Sequence, residues 1–164
     1  MKQTDFMPRG TMLEVYLRGR DLVGAEIGVD AGAHAEALLL NCDIKMLYLI
    51  DTWVNPEMYG YCRGRLETKG WKHKINMLRR SSTDAIPAVD GRLDFLYFDQ
   101  LHDYESVRND MEMWWPLLKD GGLLVHRGYA LSNTGIKKAL DEFIAKHNLK
   151  AEWDNYHNEM IIWK

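Results

Sequence analysis

The sequence predicts a doubly wound α/β domain: a mostly parallel, seven-stranded sheet with helices on both faces and an antiparallel strand from a C-terminal hairpin. Two observations carry this. Short apolar runs closed by turn residues alternate with segments of helical periodicity over most of the chain. Parallel neighbours need such crossovers, which are right-handed and usually helical. The end of the chain, Lys150–Trp163, reads instead as two strands joined near His157–Asn158 with no helix between them. The 164 residues suit a single domain, 1–164, long enough to bury a core without disulfides or metal.

The elements follow in order. Thr11–Arg18 carries Met12, Val15 and Tyr16 at i, i+3, i+4 spacing and predicts a short helix. Leu22–Val29 is a first strand that runs into Gly28; after Gly32 the run AHAEALLL predicts a helix ending near Asn41. Ile44–Ile50 is the second strand, closed by Asp51, and Pro56–Lys69 a helix stopped by Gly70. Lys74–Leu78 is the third strand, and SSTDA starts a small helix that Pro87 ends. Leu93–Phe98 is the fourth strand, closed by Asp99. Val107, Met111, Trp114 and Leu118 mark a helix over Tyr104–Lys119, with Gly121–Gly122 as its stop. Gly121–Val125 is the fifth strand, and Ile136–His147 a helix showing Ile136, Leu140, Phe143 and Ile144.

Composition narrows the function. Hydrophobic residues are 46%, charged residues 27%, and the formal charge of −3 gives no general attraction to nucleic acid or anionic membrane. No apolar run approaches the roughly 20 residues of a membrane span, and Met1–Gly10 has no apolar signal core, so a cytoplasmic protein is expected. Cys42 and Cys62 form no metal-like cluster and read as buried reduced thiols. Trp114, Trp115, Trp153 and Trp163 give more aromatic surface than a small domain needs, which suggests a homodimer.

In doubly wound sheets ligands bind beyond the carboxyl ends of the strands, where the strand order reverses. The first exit is E26-I-G28-V-D-A-G32. Its glycines are four apart, not in the GxGxxG spacing of a dinucleotide turn, and Glu26 precedes Gly28 by two. That favours a nucleoside with a charged amino-acid tail over a pyrophosphate. At the second exit Asp51 can accept both hydroxyls of a ribose or simply hold a turn. Ser81 and Ser82, after the third strand, can meet an adenine edge or cap the next helix. The fourth exit, F98-D99-Q-L-H102-D103, places Asp99 beside His102, a candidate general base or a helix cap.

Jointly, EIGVDAG, LYLIDTW, RSSTDAIPAVDGRLDFLYFD and HDYESVRNDMEMWWPLLKDGGLLV resemble class I S-adenosylmethionine-dependent methyltransferases, over about residues 20–130. The likeness is to the small O-methyltransferases of macrolide sugars (methyltransferase family 24-like) and more broadly to the catechol O-methyltransferase type. It implies a Rossmann-like fold and S-adenosylmethionine as cofactor. Glu26, Gly28 and Gly32 would surround its methionyl part, Asp51 its ribose, and Ser81–Ser82 its adenine, with Asp99 nearby and Trp53 over one face of the nucleoside. The implied partner is a small-molecule or sugar acceptor, not nucleic acid or membrane.

The resemblance breaks at one place. Metal-dependent relatives show GDDY- or GHDY-like endings on the fifth strand, where this chain has His126-Arg127-Gly128-Tyr129, and DGDH-like residues where it has DQLH. Asp99 matches a metal ligand, but a guanidinium has no lone pair and repels a cation. No metal is therefore expected. Arg127, paired with Asp99 or turned to the acceptor, would take the cation's place while His102 or His126 removes the proton. Two other readings stand: a nucleoside- or S-adenosylmethionine-binding protein without turnover, and Arg127 as a merely structural partner of Asp99. The segment Asn55–Gly70, with Tyr59, Tyr61, Arg63 and Arg65, is the candidate lid or acceptor wall, or else a solvated helix face.

Overall fold

In the computed structural model, which describes residues 12–100, 103–131 and 135–164, the seven strands lie in one sheet in the order β3-β2-β1-β4-β5-β7-β6. The strands are β1 (Leu22–Ile27), β2 (Ile44–Asp51), β3 (Ile75–Arg79), β4 (Leu93–Phe98), β5 (Leu118–Arg127), β6 (Lys150–Asp154) and β7 (Glu159–Trp163). β1 to β5 pair in parallel, and β7 runs antiparallel between β5 and β6. The predicted class and the antiparallel hairpin strand are both present. β2 and β3 extend the sheet on one side of β1, and β4 returns to its other side, so the order reverses between β1 and β4. The cleft at that reversal is where the chain exits diverge.

The pleat assigns each strand residue to a face. On one face Ala25, Ile27, Tyr48, Ile50, Leu96 and Phe98 pack beneath α4 (Ser82–Ala85), α5 (Tyr104–Trp114) and α6 (Ile136–His147). On the other, Leu47, Leu49, Phe95, Tyr97, Leu123 and Val125 pack against α1 (Met12–Tyr16), α2 (Ala33–Asn41) and α3 (Pro56–Glu67). Trp114 is fully buried in the first layer, and Trp115 packs edge-on to Phe143. Trp153, on the edge strand, is about half exposed at 49%.

Several boundaries differ from expectation. The helix expected to Lys119 ends at Trp114, because Pro116 follows and a single 3-10 turn, Trp115–Leu117, leads straight into β5. Leu118 is thus the first, fully buried residue of β5, and Gly121–Gly122 lie inside the strand. A 3-10 turn over Trp71–Lys74 also precedes β3, which shifts that strand to Ile75. No helix among the described residues is long and apolar enough to cross a membrane.

Leu96 sits at the middle of β4 with no exposed surface. Leu96→Ala should lower the unfolding free energy by about 2–5 kcal/mol, the usual cost of a buried leucine cavity, with an unchanged denaturant slope. A loss below about 1 kcal/mol would mean that β4 is not central to the core.

Candidate active site

The site is built at the ends of β1, β2, β4 and β5. After Ile27 the chain turns through Gly28 at φ 89°, Asp30 at φ 49° and Gly32 at φ 75°. A Cβ on Gly28 would stand 2.6 Å from the Asp99 carbonyl oxygen, so only glycine lets the β1 and β4 exits approach this closely. Gly32, which caps α2, leaves room for the Cys62 sulfur of α3. Cys62 is fully buried and its thiol is pushed up to about 12 by that burial; it packs as an inert thiol.

Asp51 fixes this loop. One carboxylate oxygen accepts from the backbone N–H of Val29 at 2.9 Å and of Asp30 at 3.0 Å, and the other from the N–H of Trp53 at 2.7 Å. Trp53 in turn donates its indole N–H to the Asp30 carbonyl at 2.9 Å and is only 2% exposed. Trp53 therefore differs from the face-covering role expected of it: it is a buried prop beneath the loop, edge-on to Tyr59, with no free face for a nucleoside.

Two cavities meet at Gly28, Asp30 and Asp99. The smaller, about 430 Å³, is lined by Asp51, Arg80, Ser81, Ser82 and Gln100 among others. Ser81 caps α4, accepting from the Asp84 N–H, and Ser82 donates to Asp110. Gln100 also donates to Asp110, at 2.7 Å, and the Trp114 indole N–H donates to Ser82 at 3.0 Å. The Gln of DQLH is thus tied to α5, not turned to a metal.

The larger cavity, about 500 Å³, shows the pleat at work. Glu26 of β1 pairs in register with Tyr97 of β4, and Arg127 of β5 with Glu159 of β7. All four lie on the face of α1 to α3, one residue out of phase with the opposite core, and all four line the cavity. Tyr97 donates to Glu159 at 2.8 Å, reaching past β5. Burial first, and then the Glu159 charge, raise the Tyr97 hydroxyl well above its ordinary value, so it stays protonated.

Arg127 donates to Asp99 at 2.9 Å, with both side chains about a third exposed to the cavity. Partial burial works against the Arg127 charge, but the Asp99 carboxylate and other neighbours outweigh it and hold the guanidinium above its ordinary value. His126 is one residue out of phase with Arg127. It is 1% exposed, lies flat on Phe98 with ring centroids 5.6 Å apart, and faces the core of the other layer. The expectation that His126 takes a proton in the site is corrected by this placement. His102 lies outside the described residues.

Other residues of the cavity have no counterpart in the sequence reading. His34, at the start of α2, stacks on Tyr97 at 3.8 Å and lies 3.3 Å from Glu26 without hydrogen-bond alignment. Glu26 is 1% exposed, and its Oε2 and both His34 nitrogens have no hydrogen-bond partner among the described residues. The hairpin supplies Tyr156, His157 and Glu159. They form the wall expected from Asn55–Gly70; in α3, Arg65 instead pairs with Glu36, and none of Tyr59, Tyr61, Arg63 or Arg65 lines either cavity. A carboxylate on the same strand face as an apolar core, such as Glu159, was the one signal of this wall in the sequence.

Residues 25–126 match the model of a methyltransferase domain. The chain belongs to this methyltransferase family. No curated protein matches it in sequence. Among solved structures, a protein from Staphylococcus aureus described as a caffeoyl-CoA O-methyltransferase superposes with a TM-score of 0.71 at 16% identity, over 86% of this chain and 74% of that one. An rRNA methylase from Streptococcus thermophilus gives 0.69 at 15%, over 92% and 89%. The methyltransferase PaMTH1 from Podospora anserina, bound to S-adenosylhomocysteine, gives 0.67 at 16%, over 87% and 71%. At these identities the superpositions establish the methyltransferase fold, and with the family match they mark the chain as an S-adenosylmethionine-dependent methyltransferase.

Burial raises the Glu26 carboxyl above its ordinary value, against the opposing pull of His34. The folded protein therefore holds this proton more tightly than the unfolded chain, and the Glu26 contribution to stability falls as pH rises above the unfolded value near 4.5. Glu26→Gln should flatten that decline and raise the thermal midpoint at neutral pH, as read by melting curves from pH 4 to 8. An unchanged pH slope would show that Glu26 is not the group carrying it.

Proposed function

We propose that this methyltransferase acts on a hydroxyl of a small molecule and does so without a divalent metal. The observation that carries the proposal is the Arg127–Asp99 pair at 2.9 Å, because it sets a permanent cation beside the one carboxylate that metal-dependent relatives would use as a ligand. A cation placed at Asp99 would have to displace the guanidinium and then meet its charge. The acceptor class rests on the cavity: about 500 Å³ lies within the usual range of small-ligand clefts, and the chain has no excess positive charge for a phosphate backbone.

The residues present fit the cofactor. Glu26 lines the larger cavity with a carboxyl group that suits an ammonium group, and Gly28 borders both cavities. Asp51 keeps one lone pair, on Oδ1, for a ribose hydroxyl beyond the three it gives to the loop, and Ser81 and Ser82 border the space for a base. When bound, S-adenosylmethionine supplies a methyl carbon on a positive sulfur; the carbon passes to the acceptor oxygen, the electron pair of the broken C–S bond stays on sulfur, and the hydroxyl proton leaves. This chain's own task is to hold the acceptor in line and to take that proton. Arg127 orients the acceptor oxygen and stabilises negative charge growing on it.

Calorimetric titration with S-adenosylhomocysteine should give micromolar affinity, unaltered by Mg2+, and at least about tenfold weaker in Asp51→Ala, a loss of roughly 1.4 kcal/mol. Absence of binding to the wild type would sink the cofactor assignment. Titrated with Mn2+, the wild type should take up no ion at the site, whereas Arg127→Asp should gain one submillimolar site. Tight Mn2+ uptake by the wild type that Asp99→Asn abolishes would contradict the metal-free reading.

A further inference from the structure

With His126 turned into the core, the described residues bring two imidazoles to the cavity: His34, packed between Glu26 and Tyr97, and His157 of the hairpin. His157 lines the cavity along with Asp99, Arg127 and Glu159. Its Nδ1 is held by the Asp154 carboxylate, which also accepts the backbone N–H of His157 at 3.3 Å and of Tyr156 at 3.1 Å. Partial burial pulls the Asp154 carboxyl upward, but these bonds outweigh it and keep it below its ordinary value, so it stands as an anion. An anion on Nδ1 fixes the proton there and leaves Nε2 as a bare lone pair, and the same anion stabilises the imidazolium once Nε2 has taken a proton. Nε2 makes no hydrogen bond among the described residues.

We propose that His157 is the general base of this methyltransferase, with Asp154 as the positioning residue that sets its tautomer. The inference rests on the methyltransferase reading above. The acceptor's O–H proton moves to Nε2 as its oxygen takes the methyl carbon; the imidazolium is balanced by Asp154 and later returns the proton to water. The titratable and charged groups around the ring are Asp154 and Tyr156 on its own hairpin, Glu159 of β7, Arg127 of β5, Asp99 of β4 and Glu14 of α1. Asp154, His157 and Glu159 each bring a ligand-type atom within 4.8 Å of the others, which could suggest a cation site. The donors are already engaged, however: Nδ1 with Asp154 and Glu159 with the Tyr97 hydroxyl, with the Arg127 charge close by. A base is the better fit to that arrangement.

The test needs no knowledge of the natural acceptor. Long-range 1H–15N correlation spectra of 15N-histidine-labelled, cofactor-free protein should show His157 protonated at Nδ1 and bare at Nε2 at neutral pH, and a mixture of tautomers in Asp154→Asn. With S-adenosylmethionine and the probe acceptors catechol, caffeate and methyl glucoside, His157→Gln should lose about 10²–10⁴-fold in kcat. Its KM should stay nearly constant, the acid limb of the pH profile should vanish, and its affinity for S-adenosylhomocysteine should match the wild type. Failure of the wild type to bind S-adenosylhomocysteine overturns the methyltransferase reading and the base with it. If it binds, the base alone is overturned by any of three results: an Nε2-protonated His157, a His157→Gln that methylates the probes at the wild-type rate, or a wild type that methylates none of them.

Discussion

The site depends first on the grip of Asp51 on the loop that follows β1. Three backbone N–H groups, from Val29, Asp30 and Trp53, converge on one carboxylate, which satisfies all three. Asp30 and Trp53 hold positive φ angles of 49° and 40°, a conformation that costs free energy for any residue with a Cβ. Charge-assisted bonds to Asp51 offset that cost. The loop thus has its shape before any ligand arrives, and Gly28 brings it within van der Waals limits of the β4 exit. Both cavities share that junction, so both are set by the same contacts.

The second determinant is strand parity. Glu26, Tyr97, Arg127 and Glu159 come from four different strands, yet period-2 alternation and the register put them on one face, while His126 and Phe98 go to the other. A slip of one residue in β5 would exchange Arg127 for His126 in the cavity and bury a guanidinium on Phe98. The core residues Val125 and Leu123 on one face, and Leu124 on the other, oppose that slip by the apolar surface they bury.

The fold was legible because it is a matter of local pattern: apolar runs, glycine stops and helical spacing follow one another along the chain. The positions of the first two strand exits were legible for the same reason, since a glycine turn and an acidic strand end are local signals, but the hold of Asp51 on the loop after β1 and the contact of Gly28 with Asp99 were not. Arg127 paired with Asp99, as its charge suggested. What the chain did not disclose depends on distant contact. Trp53 looked like a platform because an aromatic beside a site can face either way, and its hydrogen bond to Asp30 decided it. His126 could have been excluded by counting the pleat from Val125. The wall made by Tyr156, His157 and Glu159 comes from the far end of the chain, and only the insertion of β7 beside β5 brings it to the cleft.

Arg127 in place of an acidic ligand therefore means more than a lost metal contact. On the proposed reading it would change how the acceptor oxygen is held, leave proton removal to an imidazole, and tie the chemistry to the hairpin that closes the sheet. The most direct test is a crystal structure of the protein with S-adenosylhomocysteine, grown in Mn2+ and measured at the manganese absorption edge. The account predicts the ligand along the cleft from Ser81–Ser82 past Asp51 to Glu26, the Arg127–Asp99 pair intact, and no anomalous peak between them. A manganese peak on Asp99 with Arg127 swung aside, or the ligand bound elsewhere, would contradict it.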